Sequence, residues 1–283
     1  ARPRRTDLGL HATGMWVPSG GAFTVSSSIR GHWVGRTDRW HSSHEVALNV
    51  PLRSLSLGVA HRSAFNPPTL GDQFFREGVG VEPNPDLRAE RVPSEIAVRL
   101  SWAGTVVGAD VRMTAEGYRG DMKGMIVWLP DFRFVWSPRN TDVRRSGGEA
   151  RLEAELPGVG LLVGGSFTLT RVTYDRPGSQ DVQVAYRPRY AGTVSAGWRR
   201  GPWSFRLASR RTGARFPVPA PVNELDGFWV TEFDVGRRWL FGGWSAESHL
   251  RIERLFDVTD ALIFAYPDPG RTLRLELRMS PSS

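Results

Sequence analysis

The segment Arg-Thr-Leu-Arg-Leu-Glu-Leu-Arg-Met, residues 271–279, decides the fold class. Apolar and polar side chains alternate along it without a break, and the apolar ones are Leu273, Leu275, Leu277 and Met279. Successive side chains of a β-strand point to opposite faces of the sheet, whereas a helix repeats about every 3.6 residues. The segment therefore predicts a strand with one apolar face and one charged face.

The same two-residue period recurs along the whole chain, and no helical period of comparable strength accompanies it. It predicts about thirteen strands, which we place at residues 5–17, 22–36, 43–50, 54–62, 93–102, 106–120, 144–155, 161–174, 187–199, 203–212, 228–239, 244–253 and 271–279. We therefore expect an all-β, antiparallel up-and-down fold with no helix longer than about two turns.

Short and long connections alternate between these strands. The short ones are rich in Gly and Pro, at residues 18–21, 51–53, 103–105, 157–160, 201–202 and 240–243. The long ones lie at residues 37–42, 63–92, 121–143, 175–186, 213–227 and 254–270. Successive connections of a meander fall at opposite ends of the sheet, so one end carries the tight turns and the other carries the long loops. Transmembrane β-barrels have this asymmetry.

A soluble β-sandwich or propeller also fits simple alternation, and it predicts that the leucines near the end of the chain are buried in a core. Two features favour the membrane barrel. The alternation of short and long connections is unusual for sandwiches, whose connections cross between sheets. Aromatic residues also gather at strand ends, where membrane barrels carry interfacial girdles: Trp102, Tyr118, Trp136, Trp203, Trp239 and Trp244.

Composition excludes several classes of function. The 283 residues include 37 Lys plus Arg, 29 Asp plus Glu and no Cys, which rules out disulfide scaffolds and thiol chemistry. The arginines are interspersed with acidic residues and form no basic stripe, so we expect no nucleic-acid partner. The six His are scattered, and nucleophile or phosphate-loop motifs are absent. We therefore predict no enzyme activity, no cofactor and no metal site.

Two stretches in the second long connection carry a family resemblance. Residues 64–75 read Ala-Phe-Asn-Pro-Pro-Thr-Leu-Gly-Asp-Gln-Phe-Phe, and residues 82–90 read Glu-Pro-Asn-Pro-Asp-Leu-Arg-Ala-Glu. This order resembles the TonB-dependent outer-membrane receptors, in which a Phe-x-x-Pro-(Thr)-Leu pattern precedes Asn-Pro-x-Leu-(Lys/Arg)-x-Glu. The matching positions are Asn84, Pro85, Leu87, Arg88, Glu90 and Glu95, while Ala89 stands where the family usually has Pro.

The resemblance extends over most of residues 45–279. Trp136 and Asn140 precede the strand start at Gly147, and Tyr186-Arg-Pro precedes another strand. Leu255-Phe-Asp, then Tyr266-Pro-x-Pro-Gly-Arg and a closing strand, are similar to the C-terminal signature of the family. Arg254 and Ala265 depart from the usual Asn and Gly.

The resemblance implies that residues 1–283 are one barrel domain, the C-terminal part of a twenty-two-stranded barrel, with the N-terminal plug and the remaining strands outside this sequence. It places the chain in the outer membrane of a Gram-negative-type bacterium. Its partners would be outer-membrane lipid and lipopolysaccharide, the TonB complex acting through the plug, and a scarce ligand such as a ferric siderophore or cobalamin. The alternatives are a passive outer-membrane porin or a small barrel enzyme, which would need a complete barrel or a Ser/His/Asp cluster on its wall.

The resemblance places the long connections outside the cell, where aromatic and arginine side chains suit a large, partly apolar ligand. The candidate ligand-binding residues are Phe74, Phe75, Arg76, Trp128, Phe132, Phe134, Trp136 and Arg139. The same side chains could instead pack the loops together. Charged side chains facing the barrel lumen would form cross-strand ion pairs or contact a plug: Glu95, Arg99, Asp110, Arg112, Glu149, Arg151, Glu247, Arg251, Arg274 and Glu276.

An odd number of antiparallel strands leaves the first and last strands parallel at any seam. We therefore expect an open sheet, or a strained closure between residues 5–17 and 271–279, and no ligand uptake by this chain alone.

Overall fold

A computed structural model describes residues 5–35, 39–176, 182–220, 222–257, 263 and 268–281. Thirteen strands form a single sheet in chain order, and every neighbouring pair is antiparallel. They are β1 (Asp7–Trp16), β2 (Thr24–Val34), β3 (Arg39–Leu52), β4 (Leu55–Asn66), β5 (Glu90–Val106), β6 (Ala109–Pro130), β7 (Trp136–Leu156), β8 (Leu161–Tyr174), β9 (Tyr190–Arg200), β10 (Trp203–Thr212), β11 (Phe228–Phe241), β12 (Trp244–Glu253) and β13 (Thr272–Pro281).

The strands predicted from the alternation are confirmed in number, order and direction. The one helix in the described residues is α1 (Leu70–Phe74), which is five residues long. Thr69 caps it, since its hydroxyl accepts a hydrogen bond from the backbone N–H of Asp72 at 2.9 Å. None of the described helical structure is long and apolar enough to span a membrane. Parts of the connections 37–42, 175–186 and 254–270, including Tyr266, lie outside the described residues.

Three predicted connections are wrong in length or position. Residues 39–42 already belong to β3, and residues 103–105 belong to β5, so that the tight turn after β5 lies at residues 107–108.

Residues 121–143 are mostly paired, because β6 continues to Pro130 over 22 residues and β7 begins at Trp136 over 21 residues. A register shift between Met122 and Met125 marks a bulge within the pair. The bulge reverses the phase of the alternation, so the two-residue period ends there although the strand does not.

The strand register separates the side chains into two faces. Paired residues of an antiparallel sheet lie on the same face. The register of each strand pair therefore shows which residues of the next strand lie on that face. Leu57, Leu100 and Val98 share one face with Leu250 and Leu275; we call this the apolar face. The other, the charged face, carries all ten of the predicted lumen-facing residues.

The apolar face is not covered by a second layer of the described chain. Leu273, Leu275 and Leu277 are 70%, 75% and 63% exposed. A soluble sandwich would bury them, because such large apolar surfaces are costly in water. The burial of these leucines that the soluble alternative predicts is therefore not found in the described structure.

The sheet is open. No ladder among the described strands joins β1 to β13, and β1 is exposed at every position. Both edges thus present unpaired backbone N–H and C=O groups. The expectation of an open sheet is confirmed.

Candidate functional site

The long-connection end of the sheet is the one part of the described chain with a packed interior. There the extensions of β6 and β7, residues 120–146, form what we call the rim hairpin. One of its faces packs against the end of β8 and the segment that follows it. The cluster consists of Met125, Val127, Val143, Tyr174 and Val184, of which Val143 and Val184 are 1% and 2% exposed.

A second segment, residues 67–89, covers the opposite face of the rim hairpin, and we call it the rim segment. Asn140 links the two with all of its amide hydrogen-bonding groups. Its Oδ1 accepts from the backbone N–H of Arg88 at 2.8 Å, and its Nδ2 donates to the carbonyls of Arg88 at 2.8 Å and Gly124 at 2.7 Å. Asn84 adds a bond from its Nδ2 to the Pro138 carbonyl at 2.9 Å.

Gly124 occupies the bulge of the rim hairpin with a φ of 68°, a backbone conformation that favours glycine. A Cβ there would lie 3.1 Å from the Ala89 carbonyl oxygen. The Gly124 amide donates to Asp142 Oδ1 at 2.9 Å, and the neighbouring Ile126 amide donates to Glu90 Oε1 at 2.8 Å. The Asn-Pro-x-Leu-Arg-x-Glu stretch thus contributes side chains that satisfy buried backbone groups, which is a structural role.

Several of the candidate ligand-binding aromatics hold the rim together. The rings of Phe75 and Trp128 lie with centroids 5.5 Å apart. Trp136 uses its backbone, since its N–H donates to the Gly80 carbonyl at 2.8 Å and its carbonyl accepts from the Glu82 N–H at 3.0 Å. Phe74 is half-buried in α1. These contacts connect the rim segment to the rim hairpin.

The tip of the rim hairpin, residues 131–135, is organised by Asp131. Its carboxylate accepts the backbone N–H groups of Arg133 at 2.8 Å and Val135 at 3.0 Å, and the Arg133 Nε–H at 2.9 Å. The hydrogen bond from Val135 and those from Arg133 lower the pKa of Asp131 despite partial desolvation, because they stabilise its charged form. Phe134 follows with a φ of 60°, a strained conformation for a bulky residue.

This tip presents two phenylalanines to solvent. Phe132 is 90% and Phe134 is 79% exposed. The guanidinium carbon of Arg133 lies 5.7 Å from the centre of the Phe132 ring. Arg76 and Arg139 are also exposed, and the Arg139 Nε–H donates to the Ser137 hydroxyl at 3.2 Å. The structure therefore separates the eight candidates into packing residues and exposed residues on one rim.

Charged side chains on the charged face form ion-pair networks. Glu95, with a side chain only 4% exposed, lies 2.6 Å from Arg62 Nε and 2.9 Å from Arg145 Nε. Glu116 links this group to Arg99, whose Nε donates to it at 2.8 Å. A second network joins Asp234 to His249 at 3.0 Å and to Arg251 at 3.3 Å.

Sequence reasoning missed Arg62, Glu116 and Arg145 as members of these networks. Arg62 and Glu116 follow the parity of the charged face, so the alternation could have identified them. Arg145 also follows this parity, since it lies within the predicted strand 144–155, two periods of the alternation before Glu149. Two further pairs join neighbours on one strand, Glu149 with Arg151 at 3.1 Å and Glu276 with Arg278 at 2.6 Å.

His249 on the charged face lacks the hydroxyl partner of a hydrolytic triad in the described structure. The Nδ1 atom of His249 contacts Asp234, but no serine or threonine hydroxyl in the described structure hydrogen-bonds to the ring. A Ser-His-Asp mechanism requires that second bond. The described residues also contain no group of three or more His, Asp or Glu side chains placed to hold a metal ion.

Comparison by sequence identifies no relative: no family model matches the chain, and no curated protein does. Comparison of structures does find similar proteins. The copper transporter OprC matches with a TM-score of 0.73 at 15% identity, covering 96% of this chain and 47% of its own. The ferric-catecholate import receptor Fiu from E. coli K12 matches with a TM-score of 0.69 at 14% identity, covering 97% and 44%.

A third match is a mutant of the ferric enterobactin receptor PfeA from Pseudomonas aeruginosa, in complex with enterobactin. Its TM-score is 0.68 at 16% identity, covering 98% of this chain and 45% of its own. These neighbours are TonB-dependent receptors, and the chain spans a little under half the length of each. At this level of identity, the similarity shows a shared fold.

Proposed function

We propose that this chain, which has the fold of the β-barrel of TonB-dependent receptors, forms part of the wall of an outer-membrane receptor that imports a scarce, large ligand. The observation that carries the proposal is the similarity of strand arrangement to receptor barrels over nearly the whole chain. The exposed apolar face supports it, because a barrel wall turns such a face to lipid.

In this proposal the sheet crosses the membrane with the rim hairpin on the extracellular side. The apolar face contacts lipid, and the charged face lines the lumen with its ion-pair networks. Strands of 10 to 14 residues, such as β1 and β8, are long enough for a tilted crossing, which needs about 9–11 residues. β6 and β7 exceed that length, so their extensions project beyond the bilayer.

The ligand would bind at the rim. The tip supports this role, because Asp131 fixes the backbone that presents Phe132 and Phe134, and little ordering entropy remains to be lost on binding. The guanidinium carbon of Arg133 lies 5.7 Å from the centre of the Phe132 ring, and although Arg133 is paired with Asp131 at 2.9 Å, it keeps N–H donors for the oxygens of an anionic chelate. A ferric siderophore combines aromatic or apolar surface with negative charge, and cobalamin offers a large apolar surface and a phosphate.

Energy coupling would come from outside the described structure, through a plug domain that occupies the lumen and contacts the TonB complex. The charged face supports a polar partner of this kind, since Arg99 and Arg151 keep exposed side chains of 63% and 57%. On the other face, Arg119 and Arg171 lie toward the long-connection end and are exposed there. We propose that they contact lipopolysaccharide phosphates.

Ligand binding can be tested with the 283-residue chain in detergent, using ferric enterobactin and cobalamin as probes. Quenching of tryptophan fluorescence reports binding, and Phe134→Ala should weaken it by about fivefold, as expected for the loss of an aromatic contact. Phe167→Ala is the matched control, because Phe167 is 53% exposed but lies on the apolar face of β8. Equal loss in both variants, or no binding of either probe, would contradict the proposed rim site.

A further inference from the structure

The apolar face of β9 to β13 contains two arginines near the short-connection end, Arg200 of β9, which is exposed, and Arg237 of β11, which is half-buried. Arg237 of β11 is paired across the sheet with Trp203 of β10 and Ser248 of β12, so these three side chains share that face. Around them the face is apolar, with Phe205, Val235 and other large side chains in the next row. A charged group in such surroundings is costly unless an anion compensates it.

Two indole rings hold the Arg237 guanidinium in place. Its central carbon lies 3.7 Å from the centre of the Trp239 ring and 4.8 Å from that of Trp203. Ser248 fixes Trp239 by accepting its indole N–H at 3.1 Å, and donates to the Arg237 carbonyl at 3.4 Å. The Arg237 Nε–H is buried and has no hydrogen-bond acceptor in the described structure. The guanidinium is thus positioned but incompletely hydrogen-bonded.

The described strands around Arg237 supply no counter-charge on the apolar face. On the apolar face, the described residues of β9 to β13 include no Asp or Glu. The adjacent Arg238 lies on the opposite face and forms an ion pair with Glu247 at 3.0 Å. Arg238 therefore has a carboxylate partner, whereas the neighbouring Arg237 has none in the described structure.

The position of Arg237 along β11 indicates its depth in the proposed membrane. Trp203 directly follows the tight connection at 201–202, and Trp239 precedes the tight connection before Trp244. The Arg238 N–H donates to the Pro202 carbonyl at 2.8 Å, which joins the 201–202 turn to β11. Tryptophans at strand ends mark the depth of the lipid headgroups. An acceptor available to Arg237 at that depth is a headgroup phosphate.

We propose that Arg237, held between Trp203 and Trp239, binds the phosphate of an anionic glycerophospholipid in the periplasmic leaflet. The planar guanidinium can donate two parallel hydrogen bonds to a phosphodiester while its faces stack on the indoles. A phosphatidylglycerol-type headgroup fits better than a zwitterionic one, because this face offers no carboxylate to an ammonium group. The inference rests on the proposed membrane insertion, but not on the ligand or on energised transport.

The test uses the 283-residue chain in detergent with short-chain phosphatidylglycerol, and with diacylglycerol of the same acyl length as a probe without phosphate. Native mass spectrometry counts the retained lipid. Wild type should retain phosphatidylglycerol in preference to diacylglycerol. Arg237→Gln should weaken phosphatidylglycerol binding about tenfold, as expected for the loss of a charge-assisted hydrogen bond. Arg237→Lys should be intermediate, since it keeps the charge without the planar fork.

Arg238→Gln is the matched control, because it removes the same charge from the next residue but on the other face. Phosphatidylglycerol retention that survives in Arg237→Gln, or that falls equally in Arg238→Gln, would overturn the site. Equal retention of diacylglycerol and phosphatidylglycerol by wild type would also overturn it. Failure of the chain to take up either lipid or detergent would instead refute membrane insertion. Far-UV circular dichroism verifies that each variant keeps its β-structure.

Discussion

At the scale of single residues, the rim depends on side chains that satisfy backbone groups. Asn140 makes three hydrogen bonds of 2.7 to 2.8 Å to the backbone of Arg88 and Gly124. The sequence resemblance indicated Asn140 as a family position but gave no reason for it. The reason required the partner segment, which lies 52 residues away in the chain, and single-sequence patterns carry no such long-range pairing.

Asn140→Leu should destabilise the protein by about 1–3 kcal/mol per unsatisfied buried backbone group that water cannot reach. Asn140→Asp should cost less, because it keeps the acceptor for the Arg88 amide. The midpoint of denaturant unfolding in detergent measures both. Asn49→Leu on the exposed part of β3 is the control and should change the midpoint little. If Asn140→Leu is as mild as the control, Asn140 does not hold the rim together.

The tip should respond to acid through Asp131. Its pKa is lowered in the folded hairpin, so its stabilising effect is complete above the ordinary carboxyl value of about 3.9 and is lost as the pH falls through the lower folded value. Amide exchange of Val135, corrected for intrinsic rates, should therefore keep its protection from neutral pH to about pH 5 and lose it below about pH 4. Asp131→Asn should abolish this pH dependence; unchanged acid loss in that variant would refute the role of Asp131.

At the scale of elements, the sequence predicted strands well wherever one face meets lipid or solvent and the other is charged. β8, β10 and β12 begin and end at the predicted residues 161–174, 203–212 and 244–253. β6 and β7 were underestimated, because beyond the bulge at Met122 to Met125 both faces of the hairpin are covered by other segments. There the two-residue contrast between apolar and charged positions disappears although the backbone pairing continues.

An element-scale prediction follows for β8, where consecutive residues face opposite sides. Phe167→Arg places a charge on the apolar face and should cost about 2–4 kcal/mol of folding free energy in a bilayer. Thr168→Arg places the same charge on the charged face opposite Glu149 and should be nearly neutral. Folding into thin lipid vesicles, followed by tryptophan fluorescence, measures the difference. Equal costs for the two variants would show that β8 does not separate lipid from water.

At the scale of the whole molecule, the parity of the sheet determines what its edges can bind. β1 and β13 are both odd-numbered strands of an antiparallel meander, so they run in the same direction. Neither can pair antiparallel with the other, or with an edge of another copy inserted in the same orientation. To close the sheet into an antiparallel barrel, an odd number of additional strands must lie between β13 and β1. The sequence predicted this parity, since it follows from the strand count alone.

The chain by itself should therefore fail to restore uptake of ferric enterobactin or cobalamin in a cell whose outer membrane lacks the corresponding receptor. Its edge strands should also exchange their amides fastest, because edge N–H groups lack partners. Hydrogen exchange in detergent should show β1 and β13 less protected than β5 to β7. Restored uptake together with strong protection of β1 and β13 would mean that the chain closes into a self-sufficient pore.

The central claim is that the sheet is a membrane wall with its apolar face in lipid, and β5 tests it most directly. The sequence contains no cysteine, so single-cysteine variants at residues 96 and 98–101 can each carry one spin label, and the buried Ala97 is left unchanged. In bilayers, labels at Ile96, Val98 and Leu100 should collide with dissolved oxygen, and those at Arg99 and Ser101 with a water-soluble nickel chelate. An accessibility pattern without this two-residue period, or with its phase reversed, would contradict the account.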